Sequence, residues 1–231
     1  MHKLALALTL AACSLATGVQ AATQLATDPK AFIPQGYVLV EELTGDLNKD
    51  GRPDYVFMVK GTDPRRVIEH EYRGTLDRNR RGLVIVFNRA QGYELALTNP
   101  EVFASENEDG GVYFAPDLEL AIKRGNLYAT YSHGRYGNWT YNFRHQNNDF
   151  ELIGFDVYST RGPTVLSEIS INFSTRKMLE KENIHQNEEE LEPVFKDTWT
   201  NFSFPQLIRL SEIKDIDELY LLEMVSEVSH D

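Results

Sequence analysis

With 231 residues and a net charge of -12, from 23 Lys and Arg against 35 Asp and Glu, the chain is long enough to build a sizeable core. It is too acidic to favour nucleic acid or anionic lipid surfaces. A single cysteine, Cys13, excludes a framework of internal disulfides and a Cys-ligated zinc or iron–sulfur centre.

The first residues read as an address. Met1-His2-Lys3 is a short basic start, Leu4 to Ala16 is largely apolar, and Val19-Gln20-Ala21 offers small residues at a cleavage site. Residues 1–21 therefore read as a secretory signal peptide. The apolar run is too short for a stable membrane span, so the mature chain is expected to carry no transmembrane segment. Leu10-Ala11-Ala12-Cys13 also resembles a bacterial lipobox, which would leave a membrane-anchored lipoprotein through Cys13. Cleavage after Ala21 is the preferred reading, because the apolar stretch before Cys13 is short. Either route predicts a periplasmic, secreted or envelope protein.

Residues 22–231 are expected to form one β-rich domain. Gly36 to Glu41 reads as a strand and is followed by Asp46-Leu47-Asn48-Lys49-Asp50-Gly51-Arg52-Pro53-Asp54. Oxygen side chains stand at loop positions 1, 3, 5 and 9, with glycine at position 6. A calcium ion takes six to eight oxygens in one small volume, and alternating acidic residues on a tightly curled loop supply them. The spacing predicts one Ca2+ site, with side-chain oxygens from Asp46, Asn48, Asp50 and Asp54 and the backbone carbonyl of Arg52. The twelfth position is Phe57 and not the glutamate of an EF-hand, so this is a loop-then-strand site. An ion-free Asx-rich turn has the same composition.

Beyond the loop, Tyr55 to Lys60 is a strand, and residues 62–81 read as a long exposed connection. Gly82 to Phe87, Asn88 to Gly92 and Tyr93 to Leu97 read as strand, turn, strand. Leu118 to Ile122 with Leu127 to Tyr131 repeats the pattern, as does Trp139 to Phe143 with Phe150 to Phe155. Glu168 to Phe173 pairs onward from Lys177, across Ser174-Thr175-Arg176. Glu180 to Glu192 is acidic and weakly patterned, a loop or short helix. Phe202-Ser203-Phe204 is a late apolar stretch. Asp215 with Glu218 makes a capping box before a short C-terminal helix. The prediction is a mainly β fold, an antiparallel meander of hairpins arranged either like a propeller blade or as a sandwich.

Two weaker candidates remain. Ser105 to Gly111 bunches three carboxylates without alternation and reads as a solvated turn. Ser132 to Trp139, containing His133, Arg135 and Tyr136, is a candidate for a small ligand or sugar, although turn chemistry explains the same residues. His70 and His145 have no ligand-like partner nearby in sequence.

Thr44 to Asp54, followed by a hydrophobic strand, resembles the calcium loop of FG-GAP and VCBS-type repeats. There the loop lies between strands of a propeller blade and its aspartates bind calcium. The resemblance spans roughly residues 36 to 97 and implies the same role for Asp46, Asn48, Asp50 and Asp54. One such loop is found, whereas propellers repeat it. Tyr141 to Phe155 and Ile169 to Phe173 resemble exported bacterial proteins with a single loop of this kind.

No serine elbow, zinc-protease His-Glu pair or phosphate loop occurs, so a non-enzyme is the preferred expectation. The sequence is thus read as an exported calcium-binding β-rich protein with a structural or binding role. Two alternatives are an inhibitor or immunity-type partner of a basic secreted enzyme or toxin and a hydrolase of envelope polysaccharide. Calcium, a basic protein and a glycan are the expected partners, and nucleic acid is not among them.

Overall fold

A computed structural model describes residues 25–107, 115–186 and 192–227. The signal-like start, Cys13 and part of the 105–111 turn lie outside the described residues. The architecture is mainly β. In chain order the strands are β1 (Leu25–Ala26), β2 (Tyr37–Gly45), β3 (Asp54–Gly61), β4 (Val67–His70), β5 (Gly74–Asp77), β6 (Arg81–Arg89) and β7 (Gly92–Phe103). Then come β8 (Asp117–Lys123), β9 (Asn126–Ser132), β10 (Gly137–Gln146), β11 (Asp149–Arg161), β12 (Thr164–Asn172), β13 (Lys177–Asn183) and β14 (Phe195–Asn201). A single α-helix, α1 (Leu221–Glu227), closes the described chain.

Two antiparallel sheets carry the fold. A five-stranded sheet has the order β1-β7-β6-β3-β2, and a seven-stranded sheet runs as an unbroken meander from β14 to β8. Both bury side chains in one core. Val56, Met58, Leu83, Ile85 and Phe103 come from the first sheet, and Leu127, Tyr141, Phe143, Leu152 and Ile171 from the second. Of the two arrangements the sequence leaves open, this is the sandwich.

The central strands β3 and β6 are apolar on both faces because both faces are covered. Phe57, Val59, Val84 and Val86 form a second small core beneath Phe32, Ile33, Tyr37, Tyr55 and Tyr93. Phe32 belongs to a 3-10 turn at Pro29–Phe32, which Asp28 caps by accepting from the Lys30 amide at 2.9 Å. Continuous apolar runs such as Leu83 to Phe87 follow from this double burial.

The hairpins form where turn chemistry is local. Arg124 and Gly125 have φ of 55° and 75°, and Asn147 and Asn148 have 53° and 59°. Two successive left-handed residues match the twist of paired strands, which is why such turns close two-residue hairpins. In β11 the inward alternation changes phase. Phe143 pairs with Leu152 but Asn142 pairs with Gly154, so Ile153 is the extra residue of a bulge. The bulge lets Phe150, Leu152 and Phe155 all point into the core.

Four expectations need correction. Residues 62–81 are not a bare connection: they contain a 3-10 turn at Pro64–Arg66 and the β4–β5 hairpin, whose Leu76 is buried. Glu180 to Asn183 is strand, because β13 pairs with both β12 and β14 and backbone pairing outweighs the weak side-chain pattern; residues 187–191 lie outside the described residues. Phe202-Ser203-Phe204 follows a strand that no alternation in the sequence marks, β14, and its two phenylalanines are core anchors. The expected capping box becomes a 3-10 turn at Ile216–Glu218, where Asp215 accepts from the Asp217 amide at 3.0 Å. The helix begins only at Leu221 and buries Leu221 and Val225, one turn apart. Asn99 of β7 fastens this C-terminal segment by donating to the carbonyls of Leu210 and Ile213, both at 2.7 Å.

Candidate functional site: the 46–54 loop

Residues 46–54 join β2 to β3 at one end of the sandwich. Leu47 anchors the loop, with 1% of its surface exposed, inside the main core. Around it the backbone curls through Lys49 at φ 62° and Gly51 at φ 86°, the left-handed conformations that a sharp turn demands.

The curl brings the alternating side chains onto the loop's own amides. Asp46 accepts from the Asp50 amide at 3.1 Å through Oδ1 and from the Gly51 amide at 2.9 Å through Oδ2. Asn48 Oδ1 accepts from the same Asp50 amide at 2.9 Å. Asp50 Oδ1 accepts from the Arg52 amide at 2.9 Å, and its Oδ2 takes the Asn48 side-chain amide at 3.2 Å. Because Asp46 and Asn48 share one donor, their oxygens are held close together. Each oxygen that accepts one hydrogen bond keeps a second lone-pair direction.

Asp54 behaves differently. It is completely buried. Its Oδ2 accepts from the amides of Leu47 at 2.9 Å and Asn48 at 3.3 Å, and its Oδ1 from the amide of Asn88 at 3.0 Å. Burial pushes its carboxyl above the usual range, the three backbone donors oppose that shift, and the Asp50 charge adds to it. Asp54 thus rivets the loop to the C-terminal end of β6. Among the described residues, no group of three or more His, Cys, Asp or Glu side chains is placed to hold a metal ion. The loop instead gathers two carboxylates, one amide oxygen and the buried Asp54, and the Arg52 side chain is exposed to solvent.

Sequence reasoning missed the second layer. Arg89 sits 3.6 Å from Asp50 Oδ2, donates to Glu94 at 2.5 Å, and lies over the Phe87 ring at 4.8 Å. It supplies the counter-charge to Asp50. The signal was present in the pairing of β3 with β6: Tyr55 faces Val86, so continuing the register sets Asp54 beside Phe87 and Asn88.

His145 closes this end from the other sheet. Its ring meets Phe87 at 4.8 Å and Phe150 at 5.3 Å. Burial holds its pKa below the ordinary 6.5, helped by Arg89 and opposed by Asp54 and Asp149. The neutral ring is therefore favoured in the folded state, while the unfolded chain takes up a proton below about 6.5. Stability is fully present above that pH and falls as the pH drops toward the lower folded-state value. Urea titrations between pH 7.5 and 5 should show this loss, and His145→Phe should remove part of it. Parallel pH profiles for the two proteins would show that His145 does not carry it.

Elsewhere, nearby Asp149 and Glu151 serve structure. Asp149 accepts from the Ser211 hydroxyl, and Glu151 accepts from the Gln146 and Asn147 side chains. The described part of the 105–111 turn is likewise tied down: Asn107 donates to the Asp77 carbonyl at 2.8 Å, and Glu106 lies 3.6 Å from Lys60. The 132–139 segment does not form one aromatic site. Trp139 stacks on Tyr131 at 5.3 Å against the core, while His133, Arg135 and Tyr136 cluster at the tip of a hairpin.

No helix among the described residues is long and apolar enough to cross a membrane. No family model, curated protein or solved structure matches the chain, so a reading of its function stands on its own residues.

Proposed function

We propose that the chain is an exported, calcium-binding β protein with a structural or binding role in the bacterial periplasm or envelope. In this reading residues 46–54 hold one Ca2+ through Asp46, Asn48, Asp50, the Arg52 carbonyl and Asp54. The observation that supports it is the loop's own hydrogen bonding. Asp46, Asn48 and Asp50 are already drawn around the amides of Asp50, Gly51 and Arg52, so little side-chain ordering is left for the ion to impose. Three aspartates within nine residues, relieved by Arg89 at one of them, favour a cation of high charge. The likeness to FG-GAP and VCBS-type loops and the signal-like start belong to the same proposal.

Calcium would act by joining oxygens from the start and the end of the loop, and so would stabilise the turn between β2 and β3. Calorimetric titration of calcium into chelator-treated protein should show one site with a Kd of about 10⁻⁴ M or tighter. Asp50→Ala should weaken binding at least tenfold. Its cost to the ion-free protein should be only about 1 kcal/mol, because the bonds it loses are exposed. Equal calcium affinity in the parent and Asp50→Ala would place the ion elsewhere.

A further inference from the structure

The seven-stranded sheet turns one face to the core and leaves the other to solvent. On the outer face, strand register sets Trp199, Leu179, Ser170 and Asp156 in one row across four strands. The neighbouring row holds Lys181, Glu168, Tyr158 and Asn138. These residues, apart from Trp199, line a groove of about 200 Å³. That is smaller than the roughly 300–1,000 Å³ of drug-sized pockets, with room for about one sugar ring. Trp199 stands beside it on the edge strand β14, 66% exposed.

We propose that this groove binds a neutral oligosaccharide, with one ring in the groove and a second on Trp199. A pyranose offers an apolar C–H face and a rim of hydroxyls, and this surface offers the complement of both. Leu179, Tyr158 and Trp199 give apolar and aromatic area, which binds at low entropy cost. Asn138, Asp156, Glu168 and Ser170 supply donors and acceptors for hydroxyls. Three other ligand classes fit poorly. A lipid would strip water from Asp156, Glu168 and Lys181 without replacing their hydrogen bonds. An extended peptide adding to the edge of β14 would run along that edge and leave unused the groove over β10 to β13, which are each paired on both sides. A polyanion meets two carboxylates against one lysine, and Lys181 already lies 3.6 Å from Glu168.

The groove stands apart from the 46–54 loop and does not depend on the calcium reading. The chain has two tryptophans, and Trp139 is stacked toward the core, so a fluorescence change from Trp199 reports on the groove. Maltotetraose, cellotetraose and chitotetraose should be titrated into the full chain, followed by tryptophan fluorescence and calorimetry. At least one should bind saturably with a Kd below about 1 mM. Trp199→Ala and Asn138→Ala should each weaken that binding at least tenfold by calorimetry with melting temperatures unchanged, and Asp50→Ala should leave it intact. Absence of saturable binding by all three would overturn the proposal. So would undiminished binding in Trp199→Ala and Asn138→Ala, or tighter binding of a charged tetragalacturonate.

Discussion

Asp54→Ala, measured in chelator so that no ion contributes, should lose about 3–4 kcal/mol of folding stability. The carboxylate is fully buried and accepts from the amides of Leu47, Asn48 and Asn88. Truncation strands those donors where water reaches them poorly, and each unsatisfied buried group costs about 1–3 kcal/mol. Relief of the carboxylate's own desolvation, visible in its raised pKa, offsets part of the sum. Against a typical stability of about 5–15 kcal/mol the loss is large. At about 2–4 °C per kcal/mol for a chain of this size, melting should fall by roughly 10 °C. Asp54→Asn keeps the shape and one acceptor oxygen but turns an NH2 group toward backbone donors, and should lose about half as much. A urea midpoint within error of the parent for Asp54→Ala would show that the loop is not fastened through this side chain.

An equally large effect is expected at Gly137, where β10 begins. Its backbone has φ 105° and ψ -155°, a region essentially closed to residues with a side chain. An added Cβ would stand 1.8 Å from the carbonyl oxygen of Tyr158. That oxygen belongs to β11, which pairs with both β10 and β12, so it cannot retreat without breaking a ladder. Gly137→Ala should cost about 4 kcal/mol or more, or prevent folding. Gly134 in the same turn is the control. It has φ 53°, and a Cβ added there would meet nothing within 4 Å, so Gly134→Ala should cost only about 1–2 kcal/mol. Similar losses at the two positions would mean that backbone conformation, and not the approach of Tyr158, sets the cost.

Much of the fold is legible in the sequence because its hairpins are local. Turn residues such as Arg124-Gly125 and Asn147-Asn148 sit between strands that alternate toward the core, and each signal lies within about a dozen residues. β14 leaves no such trace. It is an edge strand, with Lys196 to Trp199 all exposed, so no burial pattern marks it. The second small core is equally hidden, because Phe32 and Ile33 cover a sheet face built from two hairpins, β2–β3 and β6–β7, that lie apart in the sequence. In the loop, the spacing of Asp46, Asn48, Asp50 and Asp54 is visible by inspection. Its fastening to Asn88 spans 34 residues and depends on the pairing of β3 with β6. The outer groove is less legible still, since four strands contribute one to three residues each and only their register brings these together.

The most direct test of the calcium reading is a thermal melt of the protein after chelation, repeated with calcium and with magnesium. Calcium binding at residues 46–54 predicts a clear rise in melting temperature with calcium, little or none with magnesium, and loss of the rise in Asp50→Ala. Identical melts in all three conditions would contradict it and leave the loop as a self-satisfied Asx turn.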